Sequence, residues 1–191
     1  MEILPWLPVL LAAYLLGSLP TSYWVGRALR GLDIRELGGG NPGTANAYRQ
    51  LGVVVGVVVG VVDIGKGSVA VLLARSLAAP EPMVLLAGVA AVAGHAWSPF
   101  LGFQGGRGAA TALGVFLVLL PRAVLPLAVL AVPALLVVRN VAIALALIFI
   151  PLAALAWYLG EPIYLIWYIL GFLAWGALRH FLSGSGRRAA L

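Results

Sequence analysis

The feature that most constrains this chain is a series of six long apolar runs, at about 3 to 29, 52 to 78, 83 to 101, 109 to 138, 141 to 159 and 162 to 178. Runs of this length match helices that cross a hydrocarbon core about 30 Å thick. With 63% hydrophobic and only 9% charged residues, and a mean hydropathy of +1.08, a soluble domain is excluded. The expected fold class is all-α, a polytopic integral membrane protein. Twenty-four glycines and twelve prolines agree with it, because both are more frequent in membrane helices than in soluble ones. The first run has no basic start and no small-residue cleavage pattern after it, so it reads as a retained span and not as a cleaved signal.

The fourth run sets the span count. Its 30 residues would make one helix of roughly 45 Å, well beyond the hydrocarbon thickness, and Pro121-Arg122 sits near its middle. A turn there gives seven spans, and no turn gives six. With seven, Arg27, Arg30, Arg35, Arg49, Arg107, Arg139, Arg179, Arg187 and Arg188 share one side and Arg75 and Arg122 the other, nine against two. With six, the arginines divide five against five and Arg122 is buried. The excess of basic residues on cytoplasmic loops favours seven spans, with the glycine-rich segments and the C-terminus in the cytoplasm. Residues 1–182 are expected to form one transmembrane domain and 183–191 a short basic tail.

Two polar islands interrupt the apolar pattern. Leu37 to Gly52 reads Leu-Gly-Gly-Gly-Asn-Pro-Gly-Thr-Ala-Asn-Ala-Tyr-Arg-Gln-Leu-Gly, and Gly102 to Thr111 reads Gly-Phe-Gln-Gly-Gly-Arg-Gly-Ala-Ala-Thr. Glycines let backbone N–H groups turn toward an anion, which makes Gly40, Gly43, Gly105, Gly106 and Gly108 candidates for substrate binding. Asn41, Asn46 and Thr111 add side-chain donors. Arg49 and Arg107 are the best phosphate ligands by chemistry, since a guanidinium holds phosphate oxygens with two parallel hydrogen bonds; the plainer reading is that they set topology. Two such islands suggest a substrate pair carrying two phosphates. Neither follows a strand or has the Gly-x4-Gly-Lys-Ser/Thr pattern, so nucleotide binding is disfavoured.

Few residues here can do acid–base or nucleophilic work. The absence of cysteine excludes disulfides and a protein thioester, and two histidines disfavour a catalytic metal, so no cofactor is expected. The net charge of +6 is explained by topology, with no nucleic-acid partner. Asp63 and Lys66 lie one helical turn apart inside the second span, where ionisable groups are expensive and usually functional. They either neutralise one another or support a site. His95 ends the third span beside the second island, either as a helix-end hydrogen bonder or as a base; the His-x4-Asp acyltransferase pattern fails because Phe100 occupies the required position. His180, near the end of the last span, reads as a lipid-headgroup or substrate contact. Trp157, Tyr158, Tyr164, Trp167 and Tyr168 bracket Gly160-Glu161-Pro162 as an outer interfacial belt. Gly52, Gly56 and Gly60 recur every fourth residue for close helix packing.

Four ordered motifs resemble one family, the bacterial acyl-phosphate:glycerol-3-phosphate acyltransferases known as PlsY. Gly17-Ser-Leu-Pro20 is similar to its Gly-Ser-Ile-Pro. Asp33-Ile-Arg35 with the first island resembles its Asp-x-Arg and Gly-Ser-Gly-Asn-x-Gly-Ala-Thr-Asn-x-x-Arg. Asp63-Ile-Gly-Lys-Gly67 resembles Asp-x-x-Lys-Gly, and Gly94-His95 with Phe103 to Thr111 resembles its Gly-His and Phe-Lys-Gly-Gly-Lys-Gly-Val-Ala-Thr. The chain departs at Gly39, where the family has serine, at Thr44-Ala45, at Gln104 and Arg107 for two lysines, at Arg139-Asn-Val-Ala142, and after His180, where an asparagine and a glutamate are missing. The resemblance implies a seven-helix enzyme of the bacterial inner membrane, active on its cytoplasmic face, that moves a fatty acyl group from acyl phosphate to glycerol 3-phosphate and makes lysophosphatidic acid. Its partners would be acyl phosphate, glycerol 3-phosphate and membrane lipid, with Arg49, Arg107 and His95 as catalytic residues. A non-catalytic paralogue that binds phospholipid precursors and a small anion transporter are the alternatives. Transport would want a polar path, and beyond Asp63 and Lys66 the spans offer almost none.

Overall fold

The computed structural model describes residues 2–137 and 141–182. Arg139 and the basic tail at 183–191 lie outside the described residues. The chain divides into two compact units, Met1–Leu119 and Leu120–Leu191. In the first, a 3-10 turn at Leu4–Trp6 leads into α1 (Leu7–Ser18), followed by α2 (Thr21–Arg30), α3 (Thr44–Leu51), α4 (Val53–Ser76), α5 (Glu81–Ala96) and α6 (Ala109–Leu119). The second holds α7 (Pro121–Val137), α8 (Val141–Tyr158) and α9 (Ile163–Leu182). There is no strand among the described residues. Leu4–Arg30, Val53–Ser76, Glu81–Leu101 and Ile163–His180 are long and apolar enough to cross a membrane, and Ala109–Leu119 and Ala146–Tyr158 are shorter apolar helices.

Three departures from the sequence reading shape the first unit. The first apolar run is not one helix: Leu19 leaves the helical region at φ −57°, ψ 115°, because the ring of a following proline crowds the α conformation. The break exposes the Leu19 carbonyl, which accepts from the Thr21 N–H at 3.0 Å and from Lys66 Nζ at 3.1 Å. Secondly, the far half of the first island is the helix α3, so Asn46 and Arg49 are helical residues. Thirdly, Gly52 does not pack a helix face; at φ 99° it joins α3 to α4. Gly56 and Gly60 do serve packing, and both face α3: a Cβ on Gly56 would lie 2.5 Å from the Tyr48 Cβ, and one on Gly60 3.0 Å from the Thr44 Cγ2.

The long fourth run is divided where Pro121 was expected to divide it. α6 ends at Leu119 and α7 opens on Pro121, whose missing N–H is harmless in a first turn. With 11 residues, α6 is roughly 16 Å long. It starts beside the middle of α4, where a Cβ on Gly67 would collide with the Thr111 carbonyl and one on Gly114 with the Ile64 carbonyl. It ends beside the last turn of α4, where Arg75 Nη1 donates to the Val118 carbonyl at 3.1 Å. The two helices therefore run parallel. A similar close crossing joins α1 to α5, since Cβ atoms on Gly17 and Gly94 would meet the backbone of Ala91 and Tyr14.

In the second unit α8 and α9 pack together across Gly160-Glu161-Pro162. Trp157, Tyr158, Tyr164 and Trp167 are exposed there, and Tyr168 sets its ring edge-on to Phe172 with centroids 4.9 Å apart. Exposed amphipathic rings at a helix turn suit the membrane–water boundary.

Candidate active site

A small, partly open cavity sits where α1, α4 and α5 meet, lined among others by Ser18, Thr21, Asp63, Lys66, His95 and Gly106. Its floor is an ion pair. Lys66 Nζ lies 2.8 Å from Asp63 Oδ1, with side chains only 4% and 2% exposed. Burial among apolar helices makes each charge depend on the other, and removing one partner of such a pair costs about 3–5 kcal/mol. Lys66 also donates to the Leu19 carbonyl, so the helix break and the ion pair stabilise one another. The second carboxylate oxygen, Oδ2, accepts from Thr44 Oγ1 at 3.2 Å, and Nδ1 of His95 lies 3.8 Å from Oδ1.

Both polar islands converge on this pair. The first arrives through Thr44 and through Pro42, which lines the cavity. The second is strapped to the end of α5: the Gly105 N–H donates to the Ala96 carbonyl at 3.1 Å and the Gly106 N–H to the His95 carbonyl at 3.0 Å. A Cβ at residue 106 would fall on His95 Nε2, so glycine is what lets this strap lie against the imidazole. Behind the first island, Arg35 grips Asp33 through its backbone N–H at 2.9 Å and Nη2 at 2.8 Å, and Nη1 reaches the Leu101 carbonyl at 3.4 Å. That guanidinium holds the Asp33 carboxyl below the usual carboxylate range. Ile34, Ala47, Leu51 and Val59 form a buried cluster under the same segment, with Tyr23, Leu37 and Val55 packed around it.

The structure distributes the residues expected from sequence unevenly. Asp63, Lys66, His95 and Gly106 come together at the cavity. Arg49 is exposed on α3 and Arg107 half-buried beside Gly106, and neither lines it. Asn46 is used by its own segment, its buried Nδ2 donating to the carbonyls of Ile34 and Leu37 at 3.1 and 3.0 Å. The N–H groups of Gly40 and Gly43 donate to the carbonyls of Leu37 and Asn41. With Gly105 and Gly106, four of the glycine N–H groups expected to face an anion are thus engaged by the chain, and these glycines act through close approach. Asn41 is half-buried with its amide against Gly43, and Gly108, at φ 84°, packs on Val92. Thr111 is fully buried at the start of α6, its hydroxyl without a hydrogen-bond partner among the described residues. His180 belongs to the last turn of α9, in the second unit. Sequence reasoning did not single out Ser18, Thr44 or Ser98. Ser98 Oγ donates to the Ser18 carbonyl at 2.6 Å, both buried, and ties α1 to the turn after His95.

Apolar helices around a charged cavity closed by glycine-rich straps define an integral membrane protein with a polar site among its spans. The family model for glycerol-3-phosphate acyltransferase matches residues 7–182, and the chain belongs to that family. It is 52% identical over 118 residues to glycerol-3-phosphate acyltransferase 2 of Moorella thermoacetica, covering 62% of this chain and 60% of the relative. Identity is 47% over 109 residues to the enzyme of Synechococcus sp. strain CC9902, covering 57% and 54%. To glycerol-3-phosphate acyltransferase 1 of Dehalococcoides mccartyi it is 43% over 155 residues, covering 78% and 74%. The matched stretch thus spans between half and two thirds of the first two relatives. The fold superposes on the crystal structure of PlsY (YgiH), an integral membrane glycerol 3-phosphate acyltransferase, in its glycerol 3-phosphate form, with a TM-score of 0.79 and 32% identity over 91% of this chain and 87% of that one. Its lysophosphatidic acid form gives a TM-score of 0.77.

Proposed function

We propose that this protein transfers a fatty acyl group from acyl phosphate to glycerol 3-phosphate, giving lysophosphatidic acid and inorganic phosphate, in a bacterial inner membrane with the site open to the cytoplasm. The observation that carries this reading is the convergence of both glycine-rich segments on one cavity holding Asp63, Lys66 and His95, in a chain of the acyltransferase family. Acyl phosphate is an activated mixed anhydride, so the site needs no protein nucleophile. It must hold two anions, align a hydroxyl and stabilise developing charge.

Arg49 and Arg107 take the substrate phosphates in this scheme. The first turn of α3 adds donors, because a helix leaves its leading N–H groups, here those of Thr44 and Ala45, without helical partners. Asn41 adds a side-chain donor on the first strap, Gly40, Gly43, Gly105 and Gly108 shape the straps by close approach, and the proposed seven-span arrangement has the straps on the cytoplasmic side. The test is the purified protein with acyl phosphate and glycerol 3-phosphate, followed by phosphate release. Release that requires both substrates is expected. Binding of both without release would replace this reading with a non-catalytic lipid-phosphate binder.

A further inference from the structure

Arg35 reaches beyond the segment it belongs to. Its Nε and Nη2 lie side-on to the Asp33 carboxylate at 3.1 and 2.8 Å, and its guanidinium stands 5.1 Å from the centre of the Tyr23 ring. A guanidinium is planar and rigid, so a carboxylate that grips this edge also fixes the direction of the remaining nitrogen, Nη1. Nη1 donates to the Leu101 carbonyl at 3.4 Å, across 66 residues of chain. Leu101 is buried, lines the cavity and ends the 3-10 turn at Pro99–Leu101, from which the second glycine-rich segment departs. That departure is strained. Gly102 and Phe103 follow at φ 61° and 63°, and a phenylalanine keeps the left-handed conformation only where its surroundings impose it. The Phe103 N–H donates to the Ser98 carbonyl at 2.8 Å and the Gln104 N–H to the Leu101 carbonyl at 3.3 Å. One carbonyl, that of Leu101, thus serves both the strained turn and Arg35.

We infer that Arg35 is a positioning residue for the second glycine-rich segment: anchored on Asp33 in the first, it holds the Leu101 carbonyl and so fixes the turn that launches Gly102 to Gly108. Arg35 touches no substrate. Its kinetic consequence rests on the acyl-transfer reading, in which Arg107 holds one of the two substrate phosphates. A turn that opens part of the time leaves the second segment competent for only a fraction of the time, and apparent affinity falls by that fraction. Loss of the bridge therefore weakens the substrate held by the second segment and spares the one held by the first.

The experiment compares Arg35→Lys, Asp33→Asn and, as a control, Arg75→Lys, which alters an arginine-to-carbonyl bridge of the same kind at the other end of α4. Lysine keeps a cation beside Asp33, and the backbone N–H of residue 35 still donates to that carboxylate. A single ammonium cannot hold the carboxylate and reach Leu101 at once. The first readout is backbone hydrogen exchange of the protein in nanodiscs. Exchange of the 103–106 amides is expected to be about 10-fold faster in Arg35→Lys, the order set by one charge-assisted hydrogen bond. It should also be faster in Asp33→Asn, where the guanidinium loses its anchor, and unchanged in Arg75→Lys, with the amides of α5 at wild-type rates throughout. Asp33→Asn carries the comparison if the lysine variant does not fold. Wild-type exchange at 103–106, or an acceleration spread equally over α5, would overturn the inference. The second readout is the pair of Michaelis constants. Arg35→Lys should raise, by about 3-fold or more, the KM of the substrate that Arg107→Ala weakens, and leave the other within about 2-fold of wild type. A smaller folded fraction would lower kcat and move neither constant. An equal rise in both constants, or a rise in the other one only, would overturn the inference as well. If the wild-type protein releases no phosphate, the acyl-transfer reading fails, and the exchange result still decides whether Arg35 positions the segment.

Discussion

Gly39 and Gly106 carry the same residue for opposite reasons. A Cβ on Gly39 meets nothing within 4 Å, and its φ is not in the left-handed region, so a side chain is accommodated. A Cβ on Gly106 falls on His95 Nε2. Gly39→Ser, which restores the residue seen in the resembling family, is expected to leave thermal stability within about 0.5 kcal/mol of wild type. Gly106→Ala should displace the imidazole from the cavity and reduce phosphate release by roughly 100-fold, the order that a misplacement of about 1 Å at a site costs. Equal stability and activity in the two variants would refute this assignment. Arg49 and Arg107 belong to different straps, and two dianions in contact repel. Each arginine is therefore expected to serve a different substrate phosphate, and its loss to cost about 1.5 to 3 kcal/mol, roughly 10- to 150-fold in the KM of one substrate. Michaelis constants for both substrates in Arg49→Ala and Arg107→Ala, against Arg122→Ala on α7, check this. If both variants weaken the same substrate equally, the separate assignment fails.

The elements show why some of this was readable from the chain and some was not. Composition and run length gave the helices, and the excess length of residues 109–138 together with Pro121 gave the division between α6 and α7. The ionisable pair was conspicuous because Asp63 and Lys66 stand alone in an apolar span. The break at Leu19 had a local signal in Pro20, yet hydropathy hid it, since apolar residues continue on both sides. α3 was hidden because glycine and asparagine dominate its approach, and helix propensity is weak evidence there; Ile34, Ala47, Leu51 and Val59 supply the tertiary burial that settles the matter. The meeting of Asp63 with His95 was not legible at all, because it depends on crossings of α1, α4, α5 and α6 at Gly17, Gly67, Gly94 and Gly114. The segment before α3 also makes a prediction at this scale. Asp33 is held below its ordinary value of 3.8 chiefly by the Arg35 side-chain hydrogen bond. A depressed carboxyl adds stability above the unfolded value and loses it as pH falls through the folded one. Protection of the 33–47 segment in hydrogen exchange, corrected for intrinsic rates, should therefore drop below about pH 4 in wild type. In Asp33→Asn it should be lower at neutral pH and change little on acidification. The same acid dependence in both proteins would remove Asp33 from the account.

For the molecule as a whole, the asymmetry of its arginines and the course of α6 point to the same topology. α6 runs parallel to α4 and ends where Arg75 takes the Val118 carbonyl, so the end of α4 remote from the straps carries Arg75, and Arg122 follows three residues after Leu119 in the chain. These are the two arginines that the seven-span arrangement sets apart from the other nine. A basic excess of this size orients a membrane protein strongly, and the proposed seven-span arrangement has the straps on the cytoplasmic side. In the same arrangement the aromatic residues around Gly160 are expected in the outer interfacial belt. Because the chain has no cysteine, single cysteines report side without background. Gly39→Cys, which sits in open space on the first strap, is expected to react with a membrane-impermeant maleimide only from the cytoplasmic side, and Pro162→Cys only from the outside. Labelling of both from one side would eliminate the seven-span arrangement and with it the cytoplasmic placement of the site.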